Sequence, residues 1–136
     1  MSRRIPSEVL KQLAAVPLFS RCSQRELRLI ASLGSEISVR AGEPLTVEGR
    51  PGSEFCLLRN GEATCHVGDR EVARLGPGEY FGEIALLTSR PRTATVRAVT
   101  DAAVVVLDRR EFFALLDEAP SIARKMLSVL AERLSP

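Results

Sequence analysis

EFCLLRNGEATCHVGDREVARL, residues 54–75, decides the fold. Three short segments rich in Val, Leu, Ala and Thr, Glu54–Arg59, Glu62–Val67 and Glu71–Leu75, are separated by Asn60-Gly61 and Gly68-Asp69. Asn-Gly between two strands predicts a type I′ hairpin, in which both central residues take positive φ. Val67-Gly68-Asp69-Arg70 predicts a second tight turn.

The same texture extends outward from Ser35 to Asp108. Further strands are predicted at Glu36–Arg40, Pro44–Glu48, Ala94–Val99 and Ala102–Leu107. Gly or Pro recurs between strands about every eight to twelve residues, the spacing of an all-β sandwich or barrel.

Outside these limits the apolar period becomes helical. Val9, Leu10, Leu13 and Ala14 mark a first helix from Ser7 to Val16, stopped by Pro17. Ser23-Gln24-Arg25-Glu26 reads as a capping box for a second, ending near Gly34. Asp108 with Glu111 starts a third helix, with Phe112, Leu115 and Leu116 on one face. Pro120 opens a fourth, where a missing N–H is tolerated, and Ile122, Met126, Val129, Leu130 and Leu134 form its stripe. The expected organisation is one α+β domain over residues 1–136. It has helices over 7–34, a β-roll over 35–108 and two helices over 109–134.

Composition bounds the function. A chain of 136 residues with 45% hydrophobic content fits one domain with a proper core. The net charge of +2 points to neither nucleic acid nor membrane, and the absence of Trp removes the best stacking platform for bases. No apolar run approaches the ~20 residues that span a bilayer. Arg3 and Arg4 lead into polar helical sequence rather than a signal peptide and read as a solvated start or linker remnant. Cys22, Cys56 and Cys65 show no C-x-x-C pairing, and the one histidine, His66, adjoins only Cys65, so no metal site is expected. Adjacent strand residues point to opposite faces, which argues against a Cys65-His66 nucleophile.

The chemistry lies in FGEIALLTSRPRTATV, residues 81–96. Gly82 permits close approach by another group, and the residues from Glu83 can form a single helical turn. Such a turn exposes N–H groups at the positive end of its dipole. Arg92 follows a loop containing Ser89 and Pro91, with the Thr93 hydroxyl beside it. A phosphate held between helix N–H groups and a guanidinium is a sound pairing. Glu83 would repel a bare phosphate, but it suits a phosphate carried on a sugar, whose hydroxyls donate to carboxylates. The alternative is a plain Glu83–Arg92 ion pair.

Residues 81–96 resemble the phosphate-binding cassette of the cyclic nucleotide-binding domain family. VPLF, residues 16–19, SEFCLLRNGEA, residues 53–63, and Gly42, Gly49, Gly52, Gly61, Gly78 and Gly82 extend the resemblance over nearly the whole chain. It implies an eight-stranded antiparallel, jelly-roll-like β-roll, with a short phosphate-binding helix between the flanking helices. It also implies that Glu83 accepts from the ribose 2′-hydroxyl and Arg92 pairs with the cyclic phosphate. Backbone N–H groups around Gly82, Ile84 and Ala85 complete the cradle and Thr93 donates to it; Phe81 and Ala94 are counted with them among the binding residues. The last helix becomes a lid, with Arg133 against the base. The ligand is cAMP or cGMP, and no catalytic cofactor is implied. A threonine beside this arginine, as at Thr93, occurs in cyclic GMP-responsive members, and Ser or Thr there also occurs in cyclic AMP binders. We favour cAMP, the commoner bacterial signal, because the Ala- and Arg-rich composition looks bacterial.

The expected function is therefore a cytoplasmic regulatory module that binds a cyclic nucleotide, does no chemistry and signals by closure of its last helix. It suits the cytosolic sensor of a channel, transporter or enzyme. The alternatives are a fold-only interaction domain and a fragment of a cAMP-responsive transcription regulator, which would need a helix-turn-helix. An enzyme would need a metal cluster or a base near the phosphate.

Overall fold

The structure, a computed structural model, describes residues 6–88 and 90–135, with Ile84 described through its backbone. Arg3, Arg4 and Ser89 lie outside the described residues. In chain order the elements are α1 (Ser7–Ala14), a 3-10 turn (Pro17–Phe19), α2 (Gln24–Leu33), β1 (Ser35–Val39), β2 (Pro44–Thr46), β3 (Glu54–Asn60), β4 (Ala63–Val67), β5 (Arg70–Leu75), β6 (Tyr80–Phe81), α3 (Glu83–Leu87), β7 (Thr95–Ala98), β8 (Ala102–Asp108), α4 (Arg109–Glu118) and α5 (Pro120–Leu134). They form two compact units, one made of the helices up to Gly34 and from Arg110 onward, the other of Ser35–Arg109.

In the helical unit, α1 buries Val9, Leu10 and Leu13, and α2 buries Leu27, Ile30 and Ala31. α1 is shorter than predicted, because the chain turns into the tighter 3-10 geometry at Pro17. α5 buries Ile122, Met126 and Val129, whereas Leu134, predicted on the same stripe, is exposed. The rings of Phe19 and Phe112 meet at 5.9 Å, tilted by 54°.

The predicted capping box is present. Glu26 N–H donates to Ser23 Oγ at 3.2 Å, and Glu26 Oε1 accepts from Ser23 N–H at 2.8 Å. The same carboxylate reaches α5, accepting from Lys125 Nζ at 2.5 Å and from Ser121 Oγ at 2.6 Å. Burial works to raise its pKa, but the hydrogen bonds from Lys125, Ser121 and the Ser23 backbone outweigh it and hold the value down at about 2. Arg21 adds a second polar tie to α5 through Ser128 and Glu132.

The other unit is a β-roll of two four-stranded antiparallel sheets, ordered β1-β8-β3-β6 and β2-β7-β4-β5. Its interior core includes Val39, Leu58, Val96, Ala98 and Val104. β3 shows no apolar alternation, since Phe55, Cys56, Leu57 and Leu58 are all buried. Two-residue β6 is too short to show a period; it pairs with β3 and stacks Tyr80 on Phe55 at 5.8 Å.

One turn departs from expectation. The sequence predicts a hairpin at Asn60-Gly61, yet β3 and β4 belong to different sheets, and only Gly61 has positive φ, at 88°. Asn60 stays in β3, and its Oδ1 accepts from Ala103 N–H at 3.0 Å. Gly61 crosses so close to β8 that a Cβ there would lie 2.6 Å from that of Ala102. The pair switches the chain between sheets. The turn at Gly68-Asp69 does close a hairpin, with Val67 opposite Arg70 and positive φ at Gly68 alone.

Candidate functional site

The site is built on the passage from β6 to β7, within the β-roll unit. Gly82 has φ +86°, a conformation that favours glycine, and its Cα side is crowded. A Cβ there would stand 2.4 Å from the Glu54 carbonyl oxygen and 2.8 Å from Arg92 Nη1. Directly after it α3 begins, with Leu86 N–H donating to the Gly82 oxygen at 3.0 Å. The N–H groups of Glu83, Ile84 and Ala85 precede the first intrahelical bond and have no helical carbonyl to reach.

Arg92 is fixed at both its backbone and its side chain. Its N–H donates to the Arg50 carbonyl at 3.0 Å, and its own carbonyl accepts from Gly49 N–H at 2.8 Å. Its Nη2 donates to the Glu54 carbonyl at 2.7 Å. The guanidinium lies across Gly52, where an added Cβ would come within 2.1 Å of Nε. Gly52 needs no positive φ, so its lack of a side chain serves the arginine rather than the backbone. Among the described residues Arg92 forms no ion pair.

Around these groups lies a hollow of about 350 Å³. Phe81, Gly82, Glu83 and Ala85 line it from before the loop, and Arg92, Thr93 and Ala94 from after it. Ile84 contributes its backbone to α3. Arg133 is exposed in the last turn of α5, in the helical unit. The structure thus brings together seven of the nine residues singled out from the sequence as lining.

Five further residues line the hollow that the sequence reading did not assign to it. Arg90 and Pro91 belong to the loop itself. Thr46, Val96 and Cys65 come from three neighbouring strands of one sheet, with Val96 opposite both Thr46 and Cys65. Pairing makes them a row across the floor, and no local pattern announces it. Neither cysteine close to the site is an activated nucleophile. Burial pushes the Cys56 thiol up to about 12 against the lowering influence of Arg92, and burial also raises Cys65.

The hollow of the β-roll thus brings together an arginine, a carboxylate and the start of a short helix. Comparison with known proteins gives the class. The family model for the cyclic nucleotide-binding domain matches residues 36–119. A cAMP-dependent protein kinase regulatory subunit of Emericella nidulans is 41% identical over 115 residues, covering 83% of this chain and 28% of that one. The cyclic AMP receptor protein of Thermus thermophilus is 33% identical over 123 residues, covering 87% of this chain and 57% of that one. The co-crystal structure of the regulatory domain of Toxoplasma gondii PKA with cAMP superposes with a TM-score of 0.77 at 28% identity, covering 93% of this chain and 51% of that one. This chain belongs to the cyclic nucleotide-binding domain family. It spans between 28% and 57% of the length of these two curated relatives. Among the described residues no helix is long and apolar enough to cross a membrane.

Proposed function

We propose that the hollow takes a cyclic mononucleotide, with cAMP preferred over cGMP. The observation that carries this is the seating of Arg92. Its guanidinium is oriented by a neutral carbonyl, so its charge is left for a ligand anion. The remaining Arg92 N–H groups face the ring phosphate. The N–H groups of Ile84 and Ala85 and the Thr93 hydroxyl complete the cradle. Glu83 accepts from the ribose 2′-hydroxyl, and Phe81 and Ala94 flank the sugar-phosphate. The preference for cAMP is supported by the names of the kinase regulatory subunit and the receptor protein above.

The whole chain acts in this reading as one cytoplasmic binding domain, without a catalytic step. Ligand favours a state in which α5 closes and Arg133 meets the base. The equilibrium moves only as far as the ligand's differential affinity for the two states allows. The output passes to a larger protein, such as a channel, transporter or enzyme. Calorimetry with cAMP and cGMP at equal concentration tests the reading. Saturable binding of cAMP, tighter than of cGMP, is expected; no heat with either nucleotide overturns it.

A further inference from the structure

We infer that Thr46 is a positioning residue for the ligand site, acting through the chain segment that presents Arg92 and Thr93. The inference deepens the proposed cyclic-nucleotide reading and rests on it. β2 and β7 slip register at this point, with Pro44 opposite Arg97 but Thr46 opposite Val96. A bulge of this kind disrupts the backbone ladder locally. The Thr46 hydroxyl bridges the irregularity, donating to the Ala94 carbonyl at 3.2 Å and accepting from Val96 N–H at 3.2 Å. A hydroxyl has a single proton, and here it is committed to Ala94. Thr46 lines the hollow and is only 9% exposed, yet it has no donor left for a phosphate. It therefore acts on a ligand through the backbone it holds.

That backbone is stitched along its length. Glu48 N–H donates to Thr95 Oγ1 at 2.9 Å, Gly49 N–H to the Arg92 carbonyl at 2.8 Å, and Arg92 N–H to the Arg50 carbonyl at 3.0 Å. The segment 46–50 is thus bonded to Arg92, Ala94, Thr95 and Val96 in turn. Between the Arg92 and Ala94 attachments lies Thr93, another residue of the hollow. Thr46 anchors the far end of this seam, and without it the Ala94 carbonyl and Val96 N–H lose their side-chain partner.

The test compares Thr46→Val, which keeps the shape and removes the hydroxyl, with Thr46→Ser, which keeps the hydroxyl. Affinity is measured by calorimetry for whichever cyclic nucleotide the parent binds, and thermal melting verifies folding. Thr46→Val is expected to weaken binding about tenfold and Thr46→Ser by less than about threefold. In an Arg92→Lys background the valine's penalty should shrink markedly, because the group it positions is already altered. Should the valine variant not fold, Thr46→Ala, which adds no bulk, takes its place. Parent-like binding by the valine variant, equal losses with serine and valine, or full additivity with Arg92→Lys overturns the role of Thr46 alone. A parent that binds neither nucleotide overturns the reading of the hollow, and this inference with it.

Discussion

Arg92 Nη2 donates to the main-chain oxygen of Glu54 at 2.7 Å, so a backbone carbonyl, not a carboxylate, sets the direction of the guanidinium. A carbonyl orients the group without neutralising it. Arg92→Ala should then weaken cyclic-nucleotide binding by ~2–5 kcal/mol, the usual cost of truncating one member of a buried charge pair. Titration calorimetry measures this, and a loss below ~1 kcal/mol would contradict the assignment. The melting temperature should fall only modestly, because one hydrogen bond to the Glu54 carbonyl but no ion pair is lost.

Glu83 starts α3 and lines the hollow. Glu83→Ala should weaken binding of the ribose form of the ligand by about tenfold, as befits loss of a charged hydrogen-bond acceptor. With a 2′-deoxy ligand, parent and variant should bind alike. A penalty that persists with the deoxy ligand would take the ribose role away from Glu83.

Gly52 and Gly82 both lie against Arg92, yet their alanine variants should fail differently. At Gly52 the three atoms nearest an added methyl all belong to the arginine side chain, which can swing away. Stability should fall by less than ~1 kcal/mol, while affinity drops several-fold because the guanidinium has moved. At Gly82 the methyl meets the Glu54 carbonyl at 2.4 Å on a backbone with φ +86°. That clash, together with backbone strain of ~1–3 kcal/mol, should lower the melting point outright. Urea unfolding read beside calorimetry separates the two; equal stability losses would refute the distinction.

Acid should weaken the helical unit through Glu26. Its folded pKa, about 2, lies below the ordinary value of 4.5. A depressed carboxyl stabilises the fold fully above its unfolded pKa, and that contribution drains away as pH falls toward the folded one. Stability should therefore decline between about pH 4.5 and pH 2. Glu26→Gln should be less stable at neutral pH and should flatten that part of the profile. A parallel decline in parent and variant, followed by urea midpoints against pH, would assign the acid sensitivity elsewhere.

Much of this was legible in the sequence because it is local. Ser23 and Glu26 stand three apart, Pro120 opens a helix, and Gly68-Asp69 lies between strands that do pair. The cassette was legible for the same reason, with Gly82, Glu83 and Arg92 close together in the chain. What escaped depends on distant partners. Asn60-Gly61 carries a strong local turn signal, but Asn60 is committed to Ala103 on β8, so the chain changes sheets instead of folding back. Thr46 and Cys65 enter the site only because their strands flank Val96. Glu26 looked like a cap and no more, since Lys125 and Ser121 lie far along the chain.

The division into two units has a consequence for biosynthesis. Ser35 stands opposite Val106, so the β-roll begins and ends on neighbouring strands, and in chain order it lies between the two parts of the helical unit. On the ribosome the roll has all its strands once Asp108 has emerged, whereas the helical unit is complete only when α5 has been made. The hollow belongs wholly to the part that finishes early. A nascent chain halted soon after α4 should already contain a formed pocket, before the helix expected to report on its occupancy has been made.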